Sequence, residues 1–301
     1  MKIEKDIDLK RYNTYGVGGN ARYFVLAREE QDLINAFTFA KEKNISFIVL
    51  GKGSNVLISE KGFDGLVIIN NTREIKKDNE ILSVSSGASL ALVTKFTISE
   101  GLSGIEFLAG VPGTFGGAII GNAGCYFGEI ADLILDVEII DGEGMKKITK
   151  KEARFSYRDS IFKHDFQGII LSARLKLNSS TKEKVSEKSL DIIKKRSIKD
   201  PKGRTSGSFF KNIEVKNAPK KLLSQVETRG MDGHIPTGKL IDEAGCKGMR
   251  VGDAEVSTYN AGFIINTGNA TADDIKKLAE EVKKRVYDKF GVELEPEVRY
   301  L

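Results

Sequence analysis

The sequence predicts an α+β protein built from two small α/β units and a third α/β region. Three observations predict it. Apolar runs of strand length recur along the chain, helical periodicity alternates with them, and glycine-rich turns separate the two. The 301 residues are 40% hydrophobic and 30% charged, which suits a folded chain long enough for two or three domains. Five prolines and the lack of a low-complexity tract argue against a disordered chain.

The elements follow in order. "EEQDLINAFTFAKEK" (29–43) places Leu33, Ile34, Phe37 and Ala40 on one helical face. "ISFIVL" reads as a buried strand, "GKGSN" as a turn and "GLVII" (65–69) as a further strand, which completes a first region over 1–75. In a second region, 76–177, "ILSVSSG" is a strand and "SLALVTKFTISEG" a helix ending at Gly101. "VEIIDGEGMKKIT" is a hairpin with a D-G turn, and "GIILSARLKL" (168–177) is a long strand. Residues 182–200 are Lys- and Ser-rich and mostly helical, leading into a third region over 178–290. Its last helix starts with a capping box, Thr271 with Asp274, and ends at Gly291. Ile275, Leu278, Val282, Val286 and Phe290 line one face of it. The tail 291–301 reads as a strand returning near the first region.

Several functional classes are disfavoured. The opening "MKIEKDIDLKRYNTYG" has no apolar core of a signal peptide, and no apolar run is long enough to span a membrane. A cytoplasmic location with Cys125 and Cys246 reduced is expected. His164 and His234 have no neighbours at metal-ligand spacing, so no metal is expected. The net charge of +5 is uneven: residues 178–290 hold 23 Lys and Arg against 16 Asp and Glu. Such a field favours anionic small molecules, or is simply a solvated face. No basic run interleaved with aromatics points to nucleic acid.

Two glycine stretches carry the strongest signal. "IVLGKGSNVLIS" begins as strand and G-x-G, but it returns to strand-like sequence and lacks a third glycine. It is therefore neither a Rossmann turn nor a P-loop. A glycine turn between strands can still present N–H groups to a diphosphate, and a ligand-free turn is equally consistent with this stretch alone. "VPGTFGGAIIGNAG" (111–124) shifts the balance. Two such stretches fit a long ligand with a diphosphate and a flat ring, since glycine lets backbone approach closely. Thr114 and Asn122 add side-chain hydrogen-bonding groups. A purely structural glycine-rich bend is the alternative.

Three polar stretches remain. "FSYRDSIF" carries Tyr157, Arg158, Asp159 and Ser160. "TSGSFFKN" carries Ser206, Ser208 and Lys211. In "ELEPEV" the acids Glu293, Glu295 and Glu297 alternate with apolar residues, as on a strand with one polar face. Taken singly, these fit a surface salt bridge, a turn and an exposed edge strand. No histidine is placed by sequence for a Ser-His-Asp triad.

Together, the ordered set resembles the UDP-N-acetylenolpyruvoylglucosamine reductase family, in its shorter form without a tyrosine-bearing insertion. The likeness runs from "NTYGVGGNARYF" through "LGKGSNVLIS", "GIEFLAGVPGTFGGAIIGNAGCYFGEI", "FSYRDSIF", "GSFFKN", "GKLIDEAGCKG" and "EVSTYNAGFIINTGNATADDI" to "LEPEVR". The resemblance implies a vanillyl-alcohol-oxidase/PCMH-type FAD-binding fold of two α/β subdomains, with the third region binding substrate. It implies noncovalent FAD, NADPH as reductant and a UDP-amino sugar bearing an enolpyruvyl ether, handled by a monomer. By the same likeness, Gly51, Gly53, Ser54, Asn55 and Val56 line the flavin diphosphate. Pro112, Gly113, Thr114, Gly116, Gly117, Asn122 and Gly124 lie along the rest of the cofactor.

Arg158, Ser208 and Glu297 match the family's catalytic residues. Hydride delivered to the vinyl terminus leaves negative charge on the substrate carboxylate, which the Arg158 fork suits. Glu297, if protonated, could donate to the same group, given a pKa raised by burial. Ser208 matches the proton donor. Tyr157, Lys211 and Asn212 match substrate contacts. The chain departs from the family at Ile213, where proline is usual, at Tyr259-Asn260, where Lys-His is common, and before "SGS", where Gln-Pro is missing. A flavin oxidase of the same fold, with Cys125 as a candidate tether, and a nonenzymatic nucleotide-binding protein are the alternatives. A basic RNA-binding protein is a third.

Overall fold

A computed structural model of the protein describes residues 1–125, 127–226 and 233–301. The chain forms two compact units, both discontinuous. The first comprises Met1–Ile7, Ala21–Lys52 and Asp64–Ile198; the second comprises Asp8–Asn20, Gly53–Phe63 and Lys199–Leu301. A three-part division along the sequence thus meets a two-part division in space. The reason is that Tyr15, Val17 and Leu57 are buried in the hydrophobic core of the second unit.

In the first unit, a four-stranded sheet has the order Ile3–Asp8, Asn20–Ala27, Phe63–Asn70, Phe47–Leu50. The last two strands run parallel. The helix Glu30–Glu42 connects the strands Asn20–Ala27 and Phe47–Leu50 and is opened by a capping box between Glu29 and Asp32. Leu33, Ala36, Phe37 and Ala40 face inward from it, and Ile34 packs at the margin. A five-stranded sheet has the order Gly144–Thr149, Ile134–Asp141, Ile169–Lys176, Ile81–Ser85, Ile75–Asp78, every pair antiparallel. The hairpin register closes at Asp141 opposite Gly144, where the D-G pair lies. Ile140, Ile169 and Leu171 of this sheet share one core with Val25, Leu66 and Phe37, so both sheets pack around the same helix. A second helix, Leu90–Glu100, is capped by Ser89, whose side chain accepts from Leu92 N–H at 3.2 Å. It stops at Gly101, where φ is 62° and the left-handed conformation suits glycine.

The second unit centres on the helix Ala272–Phe290 and a three-stranded antiparallel sheet, Arg250–Val251, Ala254–Val256 and Ile264–Asn266. Ile275, Leu278, Val282, Val286 and Phe290 are at most 1% exposed, so the apolar stripe is the buried face. Burying each such side chain contributes about 1.5–3 kcal/mol.

The C-terminal tail departs from expectation. Regular pairing among the described residues is confined to Arg299–Tyr300, parallel to Val56–Leu57. Residues 292–298 form no regular strand and hold one bridge, between Pro296 and Phe210. Pro296 takes the position in that bridge whose N–H is not used, because the flanking bonds run from Lys211 N–H to the Glu295 carbonyl and from Glu297 N–H to the Phe209 carbonyl. Nor is the segment an exposed edge, because Val292, Leu294 and Val298 are buried in the core.

Tyr15 knits the second unit together. Its hydroxyl donates to the Ile264 carbonyl at 3.2 Å and accepts from Ser206 Oγ at 3.1 Å. Asn266 Nδ2 donates to the Tyr15 carbonyl at 2.9 Å. Burial pushes the Tyr15 phenol well above its ordinary value, against the lowering effect of hydrogen bonds from Ser206 and Thr205. A phenol raised on folding contributes stability that is complete below its unfolded pKa, about 10, and is lost as pH rises above that value. Tyr15→Phe is therefore expected to cost about 1 kcal/mol at neutral pH. It should also flatten the fall in stability above pH ~10. Denaturant titrations across that range check this; an alkaline slope identical to that of the parent protein would refute it.

Candidate active site

The two glycine stretches meet in the first unit. A Cβ on Gly51 would lie 2.2 Å from Thr114 Oγ1, so the Thr114 side chain occupies the space that any other residue at 51 would need. Thr114 in turn caps the short helix Phe115–Ile120, accepting from Gly117 N–H at 3.4 Å. The approach to that helix is fixed from behind: Phe115 N–H donates to the Ala88 carbonyl at 2.8 Å and Gly116 N–H to the Ser86 carbonyl at 2.7 Å. Gly116 is closely packed there, since its Cβ would come within 2.8 Å of Ser86 Cβ.

Gly117 is different. Among the described residues, and apart from its chain neighbours and its own helix's backbone, the one heavy atom within 4 Å of its notional Cβ is Thr114 Oγ1, at 3.5 Å. It leaves open backbone beside a hydroxyl, the kind of surface that a ligand with a diphosphate and a flat ring needs in order to approach main chain. The Cβ-free space at Gly117 and the neighbouring Thr114 hydroxyl thus fit a flavin nucleotide. Gly53, with φ of 59°, turns the other stretch, and a Cβ there would strike the Tyr12 carbonyl at 2.1 Å. Gly51 belongs to the first unit, whereas Gly53, Ser54, Asn55 and Val56 belong to the second.

The stretch 111–124 and the stretch 155–162, separate in sequence, are fastened to each other. Ser156 and Asp159 exchange backbone hydrogen bonds, both 3.1 Å, to make a tight turn with Tyr157 and Arg158 at its tip. Arg158 has φ of 54°, in the left-handed region that a long side chain rarely adopts. Asn122 Nδ2 donates to the Ser156 carbonyl at 2.8 Å, and Ser160 Oγ to the Ile120 carbonyl at 2.8 Å. The Arg158 guanidinium donates to the Asn122 carbonyl at 3.4 Å and also to the Gly124 carbonyl. It lies 5.0 Å from the Tyr157 ring centroid, a cation–π distance, and Lys163 Nζ holds the Arg158 carbonyl at 2.8 Å. The arginine is thus held from several sides in a strained turn.

In the second unit, residues 204–212 lie between two other segments and bridge them at isolated positions. On one side Phe209 N–H donates to the Gly262 carbonyl at 2.8 Å and Ser208 bridges Phe263. On the other, Lys211 N–H donates to the Glu295 carbonyl at 2.9 Å and Glu297 N–H to the Phe209 carbonyl at 2.8 Å. Ser206, Phe209 and Phe210 are buried, whereas Ser208 is exposed. Asn55 joins the same arrangement: its Nδ2 donates to the Glu297 carbonyl at 3.2 Å and its own carbonyl accepts from Arg299 N–H at 3.1 Å. Ser208, Glu297 and Asn55 therefore stand on adjoining segments, with Glu297 half-buried.

Two residues expected to touch substrate have partners within the protein. Lys211 Nζ pairs with Glu295 at 2.5 Å and is only 14% exposed. Asn212 Oδ1 accepts from Thr237 N–H at 3.2 Å, at the start of the helix Thr237–Glu243. Nothing in the sequence singles out Tyr15, Ser156 and Asn266, which hold the segments around Arg158 and Ser208 in place. Their role arises from buried hydrogen bonds between distant residues, and a single sequence carries no local signal of those. Cys125 Sγ donates to the Phe107 carbonyl at 2.7 Å.

Comparison with known proteins agrees with this geometry. Residues 199–301 match the family model described as UDP-N-acetylenolpyruvoylglucosamine reductase, C-terminal domain, and residues 21–149 match the FAD binding domain model. The chain is 38% identical over 307 residues to the UDP-N-acetylenolpyruvoylglucosamine reductase of Caldicellulosiruptor bescii, covering 100% of this chain and 91% of that one. It is 36% identical to the Chlamydia trachomatis protein of the same name, covering 100% of this chain and 97% of that one. The crystal structure of the Thermus caldophilus reductase superposes with a TM-score of 0.79 at 32% identity, covering 100% of this chain and 99% of that one.

Proposed function

Because this chain belongs to the UDP-N-acetylenolpyruvoylglucosamine reductase family, we infer that it is an FAD-dependent oxidoreductase with NADPH as reductant. It reduces the enolpyruvyl group of the UDP-sugar to give UDP-N-acetylmuramate, a step in peptidoglycan precursor synthesis. The observation that carries the assignment is the joining of the two glycine stretches at Gly51 and Thr114, beside the open backbone of Gly117.

FAD held at the Gly51–Thr114 junction and against Gly117 would supply hydride transfer between NADPH and the vinyl group of the substrate. This chain's residues do the rest. Arg158 binds the substrate carboxylate, and its charge stabilises the enolate that develops there. Its turn is fixed before substrate arrives, so little reorganisation is needed during the reaction. Ser208 Oγ–H gives the proton to the carbon next to the carboxylate. An exposed hydroxyl between three buried residues is rigidly placed yet accessible. Glu297 supports the same carboxylate. Tyr157 contacts substrate, while Lys211 and Asn212 support the site through Glu295 and Thr237.

Residues 1–75 and 76–177 serve FAD, with 178–290 serving substrate. FAD is held noncovalently, consistent with a Cys125 thiol directed to the Phe107 carbonyl. The enzyme works as a cytoplasmic monomer; no described helix is long and apolar enough to cross a membrane.

The test is NADPH oxidation by the FAD-loaded protein with and without the enolpyruvyl UDP-sugar. Oxidation that depends on the sugar is expected. A yellow protein that oxidises NADPH at the same rate without it would refute the assignment.

A further inference from the structure

We propose that Asn122 is a positioning residue for Arg158, acting through its hydrogen bonds to protein and not through its side chain on the cofactor. The proposal rests on the assignment of Arg158 to the substrate carboxylate. Asn122 is fully buried and has φ of 41°, a left-handed conformation that asparagine tolerates better than most residues. Its carboxamide is engaged at both ends. Oδ1 accepts from Ala131 N–H at 3.1 Å, and Nδ2 donates to the Ser156 carbonyl at 2.8 Å. The first bond ties Asn122 to the helix Ile130–Leu133; the second grips the base of the turn that carries Arg158.

The backbone of the same residue completes a ring of contacts. Its carbonyl accepts from Arg158 Nη1 at 3.4 Å, at the tip of that turn. One residue therefore fixes both the base and the tip of the Ser156–Asp159 turn. The strained Arg158 backbone is maintained by its surroundings, and Asn122 reaches both ends of the turn. Losing the carboxamide would free the base while leaving the tip's acceptor in place, because a backbone carbonyl survives substitution.

Asn122→Gly makes that separation, since glycine accepts the left-handed backbone and keeps the carbonyl. The experiment compares Asn122→Gly, Arg158→Ala and the double variant, each normalised to its FAD-loaded fraction. Two quantities are measured: kcat/KM for the enolpyruvyl UDP-sugar, and affinity for that sugar from the change in flavin absorbance on binding. Asn122→Gly is expected to lower kcat/KM by about 10²-fold, the scale of a 1 Å misplacement. In the Arg158→Ala background the same change is expected to alter kcat/KM and affinity by no more than about twofold.

Losses that multiply in the double variant would overturn the proposal and leave the Arg158 assignment standing. Normal turnover by Arg158→Ala would overturn that assignment and the proposal with it. Should Asn122→Gly not fold, Asn122→Asp takes its place. It keeps the acceptor for Ala131 N–H and removes the donor to Ser156, and the same coupling to Arg158 is expected.

Discussion

Alanine at position 208 is expected to lower turnover of the enolpyruvyl sugar by about 10²–10⁴-fold, the usual worth of a positioned general acid. Reduction of bound FAD by NADPH should proceed at the parent rate, because no proton from Ser208 enters that half-reaction. The fold should be untouched. Ser208 is exposed, and the neighbours that anchor its segment are Phe209 and Phe210, at 0% and 1% exposure. Removing an exposed hydroxyl opens no cavity. Single-turnover absorbance separates the two halves: flavin bleaches with NADPH, then recovers on adding the sugar. Normal bleaching with slow recovery is the expected pattern. Equal slowing of both halves would remove Ser208 from the proton-donor role.

Lysine at position 158 keeps the charge and is expected to lose about 10²–10³-fold in kcat/KM, the scale of losing an oriented donor to a developing oxyanion. Arg158 reaches the Asn122 and Gly124 carbonyls with two different nitrogens of one rigid plane. An ammonium is a point donor and cannot hold those carbonyls while presenting a fork to a carboxylate. Steady-state kinetics with the enolpyruvyl UDP-sugar measure the loss. Turnover near the parent level would make Arg158 a structural residue and move carboxylate recognition elsewhere.

Much of the fold was legible because its signals are local. The capping box at Thr271 and Asp274, the stripe from Ile275 to Phe290, and the D-G turn before Gly144 all depend on residues a few positions apart. The tail was less legible. Alternating acids in 293–297 read as an exposed strand, yet the segment holds a single bridge, at Pro296, and Leu294 is buried against the second unit's core. Alternation shows which side chains face away from each other, and burial depends on what else is near.

The candidate residues were legible as types and motifs, but their arrangement was not. Asn122 read as a side-chain donor at the end of a glycine stretch. In the folded protein its carboxamide serves Ser156 and Ala131, residues whose proximity no spacing reveals. Lys211 read as a cation free for a phosphate or carboxylate, and it pairs with Glu295. The sequence by itself determined the helices, the caps, the turns and the ordered motifs that mark the family, since each follows from neighbouring side chains and backbone preference. Tertiary structure alone decided that Gly51 must be bare to admit Thr114, that residues 8–20 and 53–63 fold with 199–301, and that Arg158 is held in a strained turn. Those outcomes depend on buried contacts between distant segments, where close packing and the need to satisfy every buried polar group select one arrangement.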